Sequence, residues 1–197
     1  MSPLRRGVCR VWRALRPPAL PGTGEIVSLD LETSSLDPKA AVILSIAAVP
    51  VRDRRVLLSD AFERKIASGA PVDPEAVKYH RLRPVDLAHG ATAVDAAADF
   101  VDWLEGRPVI GYCTGFDCAI LDRTLREGGR NGFEPDRFDL RDLYRRAILR
   151  SNPEDAPPRA LDEILARLGV PVAARHTARG DATAVAMAYL LLSRDRQ

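Results

Sequence analysis

The chain has 197 residues, 46% of them apolar and 28% charged, which is the balance of one soluble globular domain rather than a disordered or membrane-spanning chain. No apolar run approaches the ~18 residues a bilayer requires. The net charge of +2 is uneven: residues 1–24 carry Arg5, Arg6, Arg10, Arg13 and Arg16 and no acid, so the rest of the chain is net acidic rather than generally basic, and any nucleic-acid affinity must come from a local patch or from metals.

Residues 1–24 read as a basic N-terminal extension, with a short amphipathic helix over 4–16 stopped by Pro17, Pro18 and Pro21. Residues 25–197 read as the folded domain. Its first element is the run Ile26-Val27-Ser28-Leu29-Asp30-Leu31-Glu32-Thr33. In a strand, Asp30 and Glu32 share one face and Leu31 takes the other. Two carboxylates on one face of a buried strand call for a partner, and a hard divalent cation suits them. Alone, the pair also fits an ordinary strand end entering a polar loop.

After a turn at Ser34-Ser35-Leu36-Asp37-Pro38, residues 42–51 predict a second strand. The turn Asp53-Arg54-Arg55 leads to a third over 56–66. Such short connections imply an antiparallel meander. Residues 71–87, interrupted by Pro74 and Pro84, predict one or two short helices. Thr92 is a helix cap before the helical spacing of Val94, Ala97, Ala98, Val101 and Leu104. A short buried strand follows at 108–111, then a helix over 116–126, a strand around 137–140 and a helix near 143–149. Residues 151–158 are a loop by composition. Helices over 161–168 and from about 180 to 192 complete the chain. A meander followed by alternating strands and helices predicts a mixed sheet with helices on its faces.

Cys9, Cys113 and Cys118 are odd in number and form no C-x-x-C pair, which argues against a disulfide framework and for a reducing cytoplasm. Asp117 and Asp181 each open a helix, where an ordinary dipole partner would also stand. His176 lies in the loop before Asp181 and could take a proton from water near neutral pH.

In order and context these residues resemble the DEDDh 3′–5′ exonucleases, the group containing the proofreading epsilon subunit of bacterial DNA polymerase III. Asp30-Leu31-Glu32-Thr33-Ser34-Ser35-Leu36-Asp37-Pro38 is similar to their first motif, Gly111-Tyr112-Cys113-Thr114-Gly115-Phe116-Asp117 to the second, and His176-Thr177-Ala178-Arg179-Gly180-Asp181-Ala182 to the third. The resemblance implies an α/β, ribonuclease H-like fold with a five-stranded mixed sheet and helices on both faces. It implies that Asp30, Glu32, Asp117 and Asp181 hold two divalent ions, Mg²⁺ or Mn²⁺, with His176 as general base. Thr33, Leu36, His80 and Phe116 match substrate-contact places, Phe116 more as packing beneath the site. Tyr112 and Cys113 stand where the second motif often has His and Asn, and Ser35 where the first often has Gly. These departures bear on substrate preference rather than chemistry.

The activity so implied is hydrolysis from the 3′ end of single-stranded DNA to nucleoside 5′-monophosphates, in proofreading or repair beside a polymerase or repair partner. The same chemistry on RNA is an alternative, as is a non-catalytic nucleic-acid-binding or polymerase-associated module.

Overall fold

The computed structural model describes residues 24–67, 82–151, 160–171 and 173–193. The basic extension, most of the predicted 71–87 helical stretch and His80 lie outside the described residues.

The sheet is built around β1 (Ile26–Thr33). It pairs antiparallel along its length with β2 (Ile43–Arg52), which in turn pairs antiparallel with β3 (Arg55–Val56) and β4 (Phe62–Lys65). On its other side β1 pairs parallel with β5 (Val109–Gly111), and β5 with β6 (Arg137–Asp139). The predicted meander and mixed sheet are therefore present. The single third strand is instead two pieces, separated by a 3₁₀ turn at Leu58–Asp60, so among the described residues the sheet has six strands in five positions. The residues of that turn donate and accept outside the ladder, as in Asp60 N to Leu57 O at 3.2 Å. The β2–β3 connection is a two-residue hairpin in which Asp53 and Arg54 both take positive φ, 50° and 59°. Both central residues of a type I′ turn have this conformation, which matches the strand twist.

Among the described residues six helices follow or interleave: α1 (Pro84–Leu87), α2 (Ala93–Leu104), α3 (Thr114–Glu127), α4 (Leu140–Ser151), α5 (Leu161–Leu168) and α6 (Ala178–Leu192). The Thr92 hydroxyl accepts from Asp95 N as the predicted cap of α2. α6 starts two residues before the predicted position, because the Thr177 hydroxyl caps it by accepting from Gly180 N at 3.1 Å.

The alternation of β1 divides the core in two. Val27, Leu29 and Leu31 pack with Ala97, Phe100 and Leu104 of α2 and Leu121 and Leu125 of α3. On the opposite face Ile26 belongs with Ile164 and Leu165 of α5 and Val185 and Ala188 of α6. Leu31 thus turns to the first face and leaves Asp30 and Glu32 to the second, as period-two alternation requires. Fully burying side chains of this size contributes about 1.5–3 kcal/mol each, which fixes the register: a slip of one residue would place both carboxylates in the apolar layer.

Candidate active site

The carboxylates gather at the C-terminal end of β1. Asp30, Glu32 and Asp181 each offer an oxygen within 4.8 Å of the others. Oxygens on opposite sides of one Mg²⁺ lie about 4 Å apart, so the three are spaced to share a cation. Asp117, in the first turn of α3, is 5% exposed and acts electrostatically on Asp30.

Local structure puts each acid in place. A β-bulge interrupts the β1–β2 register between Glu32 and Thr33, and bulges of this kind re-aim side chains beside functional sites. The chain then turns back, with the Thr33 hydroxyl donating to Ser35 O at 2.8 Å and Val42 N donating to the Ser34 hydroxyl at 2.9 Å. Asp117 is carried by α3, whose start is fixed by Thr114 donating to Phe138 O across the sheet at 2.6 Å. Cys113, at φ 62°, makes the sharp entry from β5 into that helix.

Asp181 depends on a close approach. A Cβ on Gly180 would lie 1.9 Å from Ala174 O and 2.9 Å from Thr177 Oγ1, so only glycine lets the preceding loop lie against α6. Gly180→Ala is expected to cost about 1–3 kcal/mol, as overpacking does, and to weaken metal binding by displacing Asp181. Urea unfolding of the metal-free protein measures the first effect, and an unchanged midpoint would contradict it.

The clustering has an electrostatic cost. Asp30 is held well above the usual carboxylate range, by burial first and then by the charges of Asp117, Glu32 and Asp181. Asp117 is raised by burial, then by Asp139 and Glu32. Glu32 is raised from 4.5 to about 7 by burial and by Asp181, against the lowering influence of Arg175. Such acids stay protonated or need a cation. The set of hard oxygen donors, three half-buried and Asp117 buried, fits divalent metal binding.

The pH dependence follows in sign. Between about pH 4.5 and 7 the folded chain retains a proton on Glu32 that the unfolded chain has released, so stability without metal falls as pH rises through that window. Glu32 alone contributes on the order of 3 kcal/mol at 1.36 kcal/mol per unit; Asp30 and Asp117 act in the same direction. The expected result is a metal-free melting temperature lower at pH 8 than at pH 5, with Mn²⁺ raising it chiefly at pH 8, where the ligands are ionised. A flat metal-free profile would contradict this.

The remaining candidates stand at varying distances from the acids. His176 is half-buried with φ 62°; its backbone N–H donates to Asp181 Oδ1 at 3.2 Å, while its ring acts on Asp162. Leu36 is 87% exposed in the turn after β1. Phe116 packs against the first core face, in keeping with its reading as support beneath the site. Arg175, which the motifs do not single out, pairs through Nη1 with Asp181 Oδ1 and donates through Nε to Asp162 Oδ1 at 2.7 Å. Beside the acids, Glu32, Ser45, Lys65, Leu82 and Arg179 line part of a groove of about 490 Å³. Among the described residues no helix is long and apolar enough to cross a membrane.

Residues 27–189 match the RNase_T family, described as exonuclease. The chain is 28% identical over 169 residues to the DNA polymerase III subunit epsilon-like protein of Rhodobacter capsulatus, covering 84% of this chain and 23% of that protein. It is 27% identical over 187 residues to the PolC-type DNA polymerase III of Lacticaseibacillus paracasei, covering 94% and 12%. The chain therefore spans a quarter or less of these relatives. Among solved structures, E. coli exonuclease I in complex with a dA16 oligonucleotide superposes with a TM-score of 0.74 at 19% identity, over 87% of this chain and 41% of that one, a likeness of fold. The match along nearly all of the domain, on a sheet that brings the motif acids together, makes the chain a member of the RNase_T exonuclease family, with the epsilon-type resemblance of its motifs borne out by its relatives.

Proposed function

We propose that residues 25–197 form a metal-dependent 3′–5′ exonuclease domain that removes nucleotides from single-stranded DNA ends and releases nucleoside 5′-monophosphates. The observation that carries the reading is the convergence of Asp30, Glu32 and Asp181 within 4.8 Å, with buried Asp117 alongside. Repulsion among four carboxylates disfavours the cluster unless a cation neutralises it. In this reading the four acids hold two divalent ions, Mg²⁺ or Mn²⁺. When bound, such ions supply Lewis acidity and offset the charge that develops on phosphorus oxygens during in-line displacement.

The chain's own groups do the rest. Asp30, on which all three other acids act, would be the ligand common to both ions. Glu32 and Asp181 flank it, and Asp117 completes the set from α3. His176 takes the proton from the attacking water, a role suited to an imidazole near neutral pH. Thr33 and exposed Leu36 hold the terminal nucleotide, the latter by apolar packing on the base. His80 and Phe116 stand as further contacts, Phe116 mainly from beneath. A complete acid set at these spacings favours turnover over a binding-only module. The reading places the protein in the cytoplasm, working on 3′ ends beside a polymerase or repair partner.

The test uses matched DNA and RNA oligomers, unmodified or blocked by a 3′-phosphate, with chromatography of the small products. The expected result is preferential release of 5′-dNMP from unblocked single-stranded DNA. Equal rates on RNA would replace the substrate, and internal cleavage of blocked oligomers would overturn the polarity.

A further inference from the structure

The loop before α6 is costly to build. Ala174 and His176 both have positive φ, 56° and 62°, and flank Arg175 on either side. Non-glycine residues in this region carry about 1–3 kcal/mol of strain each and persist where surrounding structure holds them. Here the Thr177 hydroxyl donates to Ala174 O at 2.8 Å, and Gly180 leaves room for that carbonyl against the helix start.

The side chain held between the two strained residues is that of Arg175, which is 17% exposed. It bridges two acids: Nε donates to Asp162 Oδ1 at the start of α5, and Nη1 pairs with Asp181 Oδ1. The same Oδ1 accepts the backbone N–H of His176. One oxygen of Asp181 is therefore held by an ion pair and by a backbone donor, while the carboxylate still offers an oxygen within 4.8 Å of Asp30 and Glu32.

We propose that Arg175, anchored by Asp162, is a positioning residue for the metal site, locking the orientation in which the Asp181 carboxylate is presented to the cation. The inference rests on the exonuclease reading of the four acids and adds residues that its motifs do not include. A lone guanidinium beside a dication site would repel the ion. The negative charge of Asp162 on the same guanidinium offsets that repulsion, so the pair orients Asp181 without adding a net positive charge. Groups behind a ligand that fix its orientation are worth about 10–100-fold in metal affinity.

The experiment is calorimetric titration of Mn²⁺ into the full chain and its Arg175→Gln, Arg175→Lys, Asp162→Asn and Arg175→Gln/Asp162→Asn variants, with the melting temperature of each metal-free protein. Arg175→Gln is expected to bind Mn²⁺ about 10–100-fold more weakly. Arg175→Lys recovers part of the loss, and Asp162→Asn loses less in the same direction. The double variant is no weaker than Arg175→Gln alone, since Asp162 acts through the guanidinium. A general structural role would lower melting temperatures without this pattern. If Arg175→Gln does not fold, Arg175→Lys and Asp162→Asn carry the test. Wild type that binds Mn²⁺ while Arg175→Gln binds equally or more tightly overturns this inference alone. Wild type that binds no Mn²⁺ overturns the reading of the acids, and this inference with it.

Discussion

Asp30→Asn is expected to abolish hydrolysis, lowering turnover by at least about 10³-fold, or ~4 kcal/mol in the barrier, while raising the stability of the metal-free protein. Both effects come from the same geometry. Asp30 is the acid on which the charges of Asp117, Glu32 and Asp181 all act, so it is the best placed to be shared between two ions. Replacing it with a neutral isostere removes an acid that, without metal, must either hold a proton or repel its neighbours, and removes a ligand from the site. Stability gained where function is lost marks a site whose arrangement serves binding rather than folding. Thermal melts in EDTA and turnover at saturating Mn²⁺ measure the two halves. A less stable variant, or one that keeps a tenth of its activity, would contradict the assignment.

His176→Ala is expected to reduce turnover by roughly 10²–10⁴-fold, the range for loss of a general base, with Mn²⁺ affinity close to that of the wild type. The separation is possible because residue 176 reaches Asp181 through its backbone N–H, which alanine retains. Single-turnover assays at saturating Mn²⁺ isolate the chemical step. Near-normal rates would reject the base.

The parts of the fold that were legible in the sequence are those set by local rules. Period-two alternation alone turns Asp30 and Glu32 away from Leu31, and the core divides accordingly. Thr92 announced its helix as a cap, and Gly169, at φ 66°, ends α5 where the pattern stops. The break between β3 and β4 was less visible. Residues 56–66 carry the apolar and polar mix of a strand throughout, and the 3₁₀ turn at Leu58–Asp60 has no glycine or proline to mark it.

The site divides in the same way. Its acids are spaced within recognisable motifs, so their convergence could be expected before the sheet was seen. Arg175 gave no such signal, being one arginine in an arginine-rich chain. Its place beside Asp181 depends on left-handed backbone at Ala174 and His176, residues whose side chains do not advertise that conformation. Gly180 was visible as a motif residue, but its reason, the 1.9 Å approach of Ala174 O to a would-be Cβ, is a tertiary fact.

The most direct measurement is incubation of the purified protein with 5′-labelled single-stranded DNA in Mg²⁺, Mn²⁺ or EDTA, beside the Asp181→Ala variant. A ladder that shortens from the 3′ end with either metal, and is absent in EDTA and in the variant, is the predicted result. Full-length oligomer under every condition, with binding to the DNA still detectable, would contradict the account and leave a nucleic-acid-binding module in its place.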